Sequence, residues 1–315
     1  HPFGSLPTLA LETTMWSFET DADFQAQLDW IDTFVREKVE PLQYVLGSPY
    51  DVKNPANIKL VRPLQDEVKK RGLWACHLGP ELGGQGYGQV KLGLMNEILG
   101  RAAFAPIVFG CQAPDSGNAE ILAHYGTPAQ KERWLKPLLN GEIVSCFSMT
   151  EPQGGADPLI FTTSAVRDGD EWVINGEKWF SSNARFADFF IVMCVSNAEG
   201  SPYQRQSMII VPADTPGIEI IRNVGFGAEH VPTHAYIRYT NVRVPADHLL
   251  GGEGQAFVVA QTRLGGGRIH HAMRTIGHAK ALFDMTCQRV ISRETKGKNL
   301  SQLQMVQEKI ADSWI

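Results

Sequence analysis

Two hydroxyl side chains, Thr150 and Ser182, sit in stretches suited to a flat, polar-edged ligand. The first stretch is Phe147-Ser148-Met149-Thr150-Glu151-Pro152-Gln153-Gly154-Gly155-Ala156-Asp157. The second is Asn175-Gly176-Glu177-Lys178-Trp179-Phe180-Ser181-Ser182-Asn183. Each places a hydroxyl beside an aromatic ring or a thioether: Phe147, Met149 and Phe180. A flat ring takes apolar surface on its face and hydrogen-bond donors on its edge. Each stretch reads as a strand next to a turn. Pro152, Gly154 and Gly155 break the first, and Asn175-Gly176 is a hairpin signal between β-like runs. The plainer alternative is two turns of an ordinary β-domain.

The elements that would position these residues follow from periodicity. Phe24, Leu28, Ile31, Phe34 and Val35 predict a helix from Phe18 to about Gln43, with acids early and bases late. A second helix spans Leu60 to Arg71, with Gly72 as its cap. The run from Gly79 to Gly88 contains Gly-x-Gly but follows no strand, so it reads as a loop between helices and not as a nucleotide loop. Val90 to Leu99 and Ala119 to Tyr125 are helical. Thr127-Pro128-Ala129-Gln130 opens another helix, with Thr at N-cap and Pro at N1, running to Leu139. From Ile143 the period changes to two, and short β-runs follow through Val244, Ala235–Tyr239 and Val242–Val244 being read as separate strands. Helix returns after Gly254: Phe257 to Leu264, Arg268 to Arg293, and Leu300 to Ile315. The expected architecture is α+β and multidomain: an N-terminal helical domain over 15–142, a middle β-barrel or sandwich over 143–253, and a C-terminal helical bundle over 254–315 that reads as truncated.

The chain has 315 residues, 43% hydrophobic and 20% charged, within the range of ordinary globular proteins. Its net charge is 29 − 34 = −5 and it has no basic run, which disfavours nucleic acid as a partner. Five cysteines are scattered without a Cys-x-x-Cys pair, so they read as reduced thiols and neither a disulfide frame nor a metal site. No apolar run approaches the roughly 20 residues of a membrane span, and no secretory signal is visible. The first methionine is Met15, so His1 to Thr14 is read as a processed leader or an artificial extension and left out of the fold reading.

The two stretches resemble the flavin-binding signature of the acyl-CoA dehydrogenases. That signature runs small-apolar-Thr-Glu-x-x-x-Gly-small-Asp, then Asn-Gly-x-Lys-x-aromatic-x-Thr/Ser-Asn. Gly126-Thr127, Gln130-Lys131, Trp134-Leu135, Leu138 and Gly141-Glu142 match the family's pattern ahead of it, and the resemblance covers about Phe18 to Ile315. It implies an FAD cofactor contacted by Phe147, Met149, Thr150, Phe180 and Ser182. Thr150 would serve the N1/O2 side of the flavin and Ser182 the N5 side, with Phe180 against the ring where many relatives carry Trp. Arg293, Thr295 and Gln304 resemble a second contact set, made across a subunit interface to the adenylate half of a neighbour's FAD. Lys296 stands where phenylalanine is usual. Taken alone, Arg293 is a solvated helix-end cation. Arg268 resembles the family's arginine near the CoA arm. The string from Arg263 through Arg268, His270-His271 and Met273-Arg274-Thr275 to Gly277 is similar to the subgroup fused to kinase-like domains in mitochondria and peroxisomes, and to its bacterial relatives. His270 and His271 are adjacent, so they point apart on a helix and do not suit a shared metal.

The chemistry this resemblance implies is α,β-desaturation of an acyl-CoA thioester in fatty-acid β-oxidation. A carboxylate takes the α-proton while hydride leaves for the flavin. The catalytic base is expected beyond Ile315, since the alternative position used by some relatives is Gly267 here. Glu151 and Asp157 are read as structural. Electrons would pass to an electron-transfer flavoprotein, and the chain would form a homodimer or homotetramer in bacterial cytoplasm or mitochondrial matrix. Two alternatives stay open: an acyl-CoA or nitroalkane oxidase on the same fold, and a non-catalytic flavoprotein scaffold.

Overall fold

The computed structural model describes residues 19–82, 84–225 and 233–315. The leader reading for residues 1–14 lies outside them. The chain begins as a block of helices. Helix α1 (Ala22–Phe34) starts at Asp21, whose carboxylate accepts from the Phe24 N–H at 2.9 Å. Its three- and four-residue apolar spacing puts Phe24, Leu28, Ile31 and Phe34 on one buried face. A π turn (Val35–Val39) and a 3-10 turn (Glu40–Tyr44) extend it. Then follow α2 (Pro55–Lys70), α3 (Gly88–Leu99), α4 (Ala105–Val108) and α5 (Asp115–Tyr125). Helix α6 (Pro128–Gln130) carries the expected capping box of Thr127 and Gln130 and runs through a π turn into α7 (Lys136–Asn140). The block closes around Phe34, Val35, Leu73, Leu99, Phe104 and Phe109.

The middle of the chain is one mixed eight-stranded sheet. Its strands are β1 (Ser145–Ser148), β2 (Ser164–Asp168), β3 (Glu171–Ser182), β4 (Phe189–Val195), β5 (Gln206–Pro212), β6 (Ile218–Val224), β7 (His234–Pro245) and β8 (Leu249–Leu250). The order is β6-β7-β3-β2-β4-β5-β8, with β1 parallel to β4 off this path. Alternation along β4 and β5 gives each strand two buried faces. Phe189, Ile191, Met193, Met208 and Ile210 pack toward the helices. Phe190, Val192, Cys194, Ile209 and Val211 share a second core with Trp172, Ile174, Ile237, Tyr239 and Val242 of β3 and β7. The sheet therefore curls so that its β3–β7 half covers its β4–β5 half, the closed arrangement that many short strands favour.

Two local expectations are corrected. Asn175-Gly176 makes no hairpin: it lies inside β3, where the register against β7 shifts. Gly176 sits at φ +145°, and a Cβ there would meet Thr163 Oγ1 at 2.5 Å. Asn175 Oδ1 accepts from the Asn241 N–H at 2.8 Å, so the asparagine fills a bulge and does not turn the chain. Likewise β7 is continuous where two strands were expected, because β3 and β6 pair along it on both sides.

The C-terminal part is α8 (Ala256–Ser292), a small hairpin of β9 (Glu294–Thr295) and β10 (Lys298–Asn299), and α9 (Gln304–Trp314). Helix α8 passes unbroken through Gly265-Gly266-Gly267, where the periodicity predicted an interruption. Glycine costs about 1 kcal/mol in a helix interior, and packing against α3 and α5 overrides that preference. Tyr125 and Thr262 hydroxyls meet at 2.7 Å, and Arg274 Nε donates to Asn96 Oδ1 at 2.6 Å. At the α3 crossing the backbones nearly touch: a Cβ on Gly277 would lie 1.8 Å from the Glu97 carbonyl oxygen. Gly277→Ala should therefore lower the unfolding free energy by about 3 kcal/mol. A urea melt with an unchanged midpoint would mean that the helices do not approach this closely.

Candidate active site

The end of β1 is held to β3 by a buried ion pair. Glu151 Oε1 accepts from Lys178 Nζ at 2.8 Å and the Thr163 N–H at 3.0 Å. Its Oε2 accepts from the Thr162 N–H at 2.7 Å, the Thr162 hydroxyl at 3.1 Å and Gln153 Nε2 at 2.6 Å. Lys178 Nζ also donates to the Met149 carbonyl at 2.8 Å. The two charged side chains are 0% and 1% exposed. Burial pushes the Glu151 carboxyl up, but the Lys178 charge and these donors outweigh it and hold it down at about 2. Burial also depresses the Lys178 amine, against the pull of Glu151. We take the pair as ionised, because protonating Glu151 would strand its donors.

This frame fixes Thr150. It lies between Met149, whose carbonyl Lys178 holds, and Glu151, and its own carbonyl accepts from the Trp179 N–H at 2.8 Å. Two residues earlier, Ser148 bonds the Ser181 and Tyr239 hydroxyls, each at 2.9 Å. The two stretches singled out in the sequence are thus side by side. Asp157, at the end of the first, caps a 3-10 turn by accepting from the Leu159 N–H at 2.9 Å.

Along β3 the register against β7 shifts a second time between Lys178 and Ser181. Phe180 sits on this bulge at φ +53°, a left-handed conformation uncommon for a side chain of its size, and 43% of it is exposed. The bulge re-aims its ring outward. Trp179 packs 5.0 Å from Tyr236 and 5.0 Å from the Arg222 guanidinium, and its indole N–H is buried without a partner among the described residues. Ser182 Oγ lies 2.8 Å from His234 Nδ1.

On the other side, Phe147 and Met149 pack against the helix-side core. The Arg263 guanidinium of α8 lies 3.9 Å over the Phe147 ring, and its Nε donates to Asn118 Oδ1 of α5 at 2.9 Å. Burial lowers this arginine to about 10, with Cys146, Asp115 and Glu120 opposing the shift. Asp115 accepts from the Ser145 N–H at 2.7 Å, the Ser145 hydroxyl at 2.6 Å and Gln112 Nε2 at 2.9 Å, tying α5 to β1. Its burial raises it to about 6, against those donors. Arg263, Asn118, Asp115 and His234 were not candidates in the sequence reading. Arg263 was read only as the start of the subgroup string and the other three carry no local motif; the packing of α5, α8 and β7 around the strand ends brings them in.

Arg268 is exposed on α8, as is His271, while His270 is buried. Arg293, Thr295 and Gln304 are exposed at the far end of α8. Arg263 and Arg293 are separated by about 30 residues of helix, or about 45 Å at 1.5 Å per residue. Within one chain these residues are not brought to Thr150 and Ser182. Four cysteines are buried, Cys287 is half-buried, and all five are free. Among the described residues no group of three or more His, Cys, Asp or Glu side chains could hold a metal ion, and no helix is long and apolar enough to cross a membrane.

A curled sheet clamped between a helical block and a long helix, with two hydroxyl-bearing strand segments beside a re-aimed aromatic, defines an α–β–α class of proteins. Residues 22–142 match the family described as acyl-CoA dehydrogenase, N-terminal domain, residues 146–242 its middle domain and residues 254–315 its C-terminal domain. The chain belongs to the acyl-CoA dehydrogenase family. Acyl-CoA dehydrogenase family member 11 of Gallus gallus is 40% identical over 294 residues, which is 90% of this chain and 38% of the relative. FadE2 of Mycobacterium tuberculosis is 39% identical over 316 residues, 98% of this chain and 73% of the relative. A glutaryl-CoA dehydrogenase from Mycobacterium smegmatis, solved in complex with FADH2, is 26% identical with a TM-score of 0.73, over 93% of this chain and 72% of that one. The chain thus spans about two fifths of the length of the vertebrate relative and about three quarters of the bacterial ones. The member 11 relative bears out the subgroup suggested by the Arg263–Gly277 string.

Glu151→Gln should cost about 3–5 kcal/mol, because it leaves the Lys178 charge buried without its counter-ion. The stability supplied by the depressed Glu151 carboxyl is fully present above its ordinary pKa near 4.5 and is lost as pH falls from there toward about 2. Urea melts of the parent and the variant from pH 7 down to pH 3 test this. A parent–variant gap that stays constant down to pH 3 would contradict it.

Proposed function

We propose that this chain is the flavin-binding part of an FAD-dependent dehydrogenase that introduces an α,β double bond into an acyl-CoA thioester. The observation that carries the reading is Phe180, held on a bulge in a left-handed conformation with its ring turned outward, next in space to the Thr150 and Ser182 strand segments. Backbone strain of this kind persists where a site uses it. An aromatic surface beside hydroxyls, with, in the same strand, a buried Trp179 N–H that has no partner among the described residues, fits a flat heteroaromatic ring with polar edges.

Bound there, the flavin would supply hydride acceptance. The chain's own residues would bind and orient it. Thr150 would donate to the pyrimidine edge, where negative charge gathers on reduction, and Ser182 would meet the central-ring edge. Phe147 and Met149 would floor the cleft, with Arg263 fixing the Phe147 ring. Arg268, exposed on α8, would lie along the CoA arm. Glu151 and Asp157 would not take the α-proton, since one is fully engaged by Lys178 and backbone donors and the other caps a turn. Arg293, Thr295 and Gln304 would serve the adenylate half of a cofactor held by a second copy, because the length of α8 keeps them from their own cleft. An electron-transfer flavoprotein is the proposed acceptor, which family membership favours over oxygen.

An anaerobic absorbance titration with acyl-CoAs of graded length tests the reading. Bleaching of the oxidised flavin band by one chain class is the expected result. Bound flavin that no acyl-CoA bleaches would overturn the substrate, and peroxide formed stoichiometrically in air would favour an oxidase. Thr150→Ala should slow substrate-driven bleaching at least tenfold, the scale of losing one donor to a developing charge. Unchanged bleaching would remove Thr150 from that role.

A further inference from the structure

The loop between β4 and β5 leaves the sheet at the same end as Thr150. Strands β1 and β4 are parallel, with Ser148 opposite Val192, so the chain beyond Ser148 and the chain beyond Val195 emerge together. In that loop Tyr203 takes a left-handed backbone, φ +67°, uncommon for a side chain of its size, and it is 48% exposed. Its ring packs on that of Phe257, in the first turn of α8, with centroids 4.3 Å apart. Hydrogen bonds hold both supports. Across the loop the Ser196 N–H donates to the Arg205 carbonyl and the Gln204 N–H to the Ser201 carbonyl, each at 2.9 Å. Ser207 Oγ accepts from the Gly254 N–H at 2.9 Å and lies 2.7 Å from Ser196 Oγ, which ties the loop to the start of α8. Gln206 Nε2 donates to the Pro158 carbonyl at 2.8 Å, which ties it to the turn after Asp157. A strained ring held this firmly, yet facing solvent, is not explained by core packing.

Phe257 shares a face of α8 with Arg268, eleven residues on, which is about three turns and about 16 Å of helix. Between them lie two glycines that the fold does not account for. A Cβ on Gly265 or Gly267 would meet nothing within 4 Å among the described residues, whereas one on Gly266 would meet Gln89 Nε2 at 3.1 Å. Glycine weakens a helix, and a ligand passing close to the backbone is a reason to keep it there. Arg205 follows Tyr203 by two residues, its Nε donating to the Gly200 carbonyl at 2.9 Å, so a cation suited to phosphate belongs to the same loop. We propose that the Tyr203 ring, backed by Phe257, is the surface on which the adenine of the coenzyme-A arm stacks, the arm running along α8 from Arg268 past Gly265 to the start of the helix. The inference rests on the acyl-CoA reading above. Tyr203 touches no reacting atom. It selects the carrier of the acyl group and sets how tightly the thioester is held.

The test compares an acyl-CoA with the same acyl group on phosphopantetheine, which lacks the adenosine, in anaerobic bleaching of the flavin-loaded protein. The unsubstituted protein should reach half-saturation at about tenfold lower acyl-CoA than acyl-phosphopantetheine, the scale of one base stacked on an aromatic ring. Tyr203→Asn removes the ring and keeps a residue that tolerates the left-handed backbone. It should raise the half-saturating acyl-CoA concentration about tenfold, with the limiting rate and the phosphopantetheine thioester unchanged. Tyr203→Trp should stay within about twofold of the parent, since an indole offers the same kind of face. Equal half-saturation by the two thioesters in the parent would overturn the platform, with no variant needed. So would a Tyr203→Asn protein that binds acyl-CoA like the parent, or one that loses both thioesters equally. A parent flavin that no acyl thioester bleaches would sink the acyl-CoA reading and the platform with it, whereas bleaching by acyl-CoA that ignores Tyr203 would sink the platform alone.

Discussion

The Lys178–Glu151 pair is the constraint on which the placement of the two hydroxyl-bearing segments depends. It joins three separate segments: the end of β1, the lead-in to β2 at Thr162-Thr163, and the middle of β3. A buried ion pair is weak evidence for stability, because removing two charges from water costs several kcal/mol. Its value here lies in geometry. Glu151 accepts five hydrogen bonds that no neutral side chain of its size could accept together. Thr150, between the two backbone positions so tied, has little freedom left. A hydroxyl at a strand end is otherwise subject to fraying, and this arrangement removes that freedom.

The same frame sustains the strain at Phe180. A left-handed phenylalanine costs on the order of 1–3 kcal/mol and persists only where its surroundings over-determine it. Lys178 on one side is buried and bonded, and Ser181 on the other is bonded to Ser148. With both flanks fixed, the extra backbone length of the bulge is expelled at position 180, and the ring goes with it. The aromatic surface beside the hydroxyls is thus a consequence of the ion pair and of the Ser148–Ser181–Tyr239 hydroxyl cluster.

Helix α8 performs two tasks at its two ends. Near its start it packs over the end of β1, through Arg263 over Phe147 and its bond to Asn118. At its other end it carries Arg293 about 45 Å away. Its position is set in between, where Gly277 lets it lie against the backbone of α3. A helix held by backbone contact has little room to slide, so the register of Arg263 over Phe147 and the placement of the β9–β10 hairpin are fixed together.

Much of this was legible in the sequence. The helix–sheet–helix order, the capping box at Thr127-Gln130, the buried faces of α1 and the paired motifs at Thr150 and Ser182 are local patterns, and local patterns survive without a fold. Where the sequence misled, a local signal was overruled from a distance. Asn175-Gly176 has turn chemistry, but β7 pairs across it, so a bulge absorbs what a hairpin would have used. The three glycines at 265–267 have poor helix propensity, but packing on α3 and α5 outweighs it. Residue types and spacings by themselves determined the family, the fold class and the two hydroxyls. Only the tertiary structure decided that Lys178 meets Glu151, that Phe180 turns outward, that Arg263 covers Phe147 and that His234 stands behind Ser182. These contacts join residues 27 to 116 positions apart in sequence, and no local periodicity encodes which distant side chains a curled sheet will bring within hydrogen-bond reach.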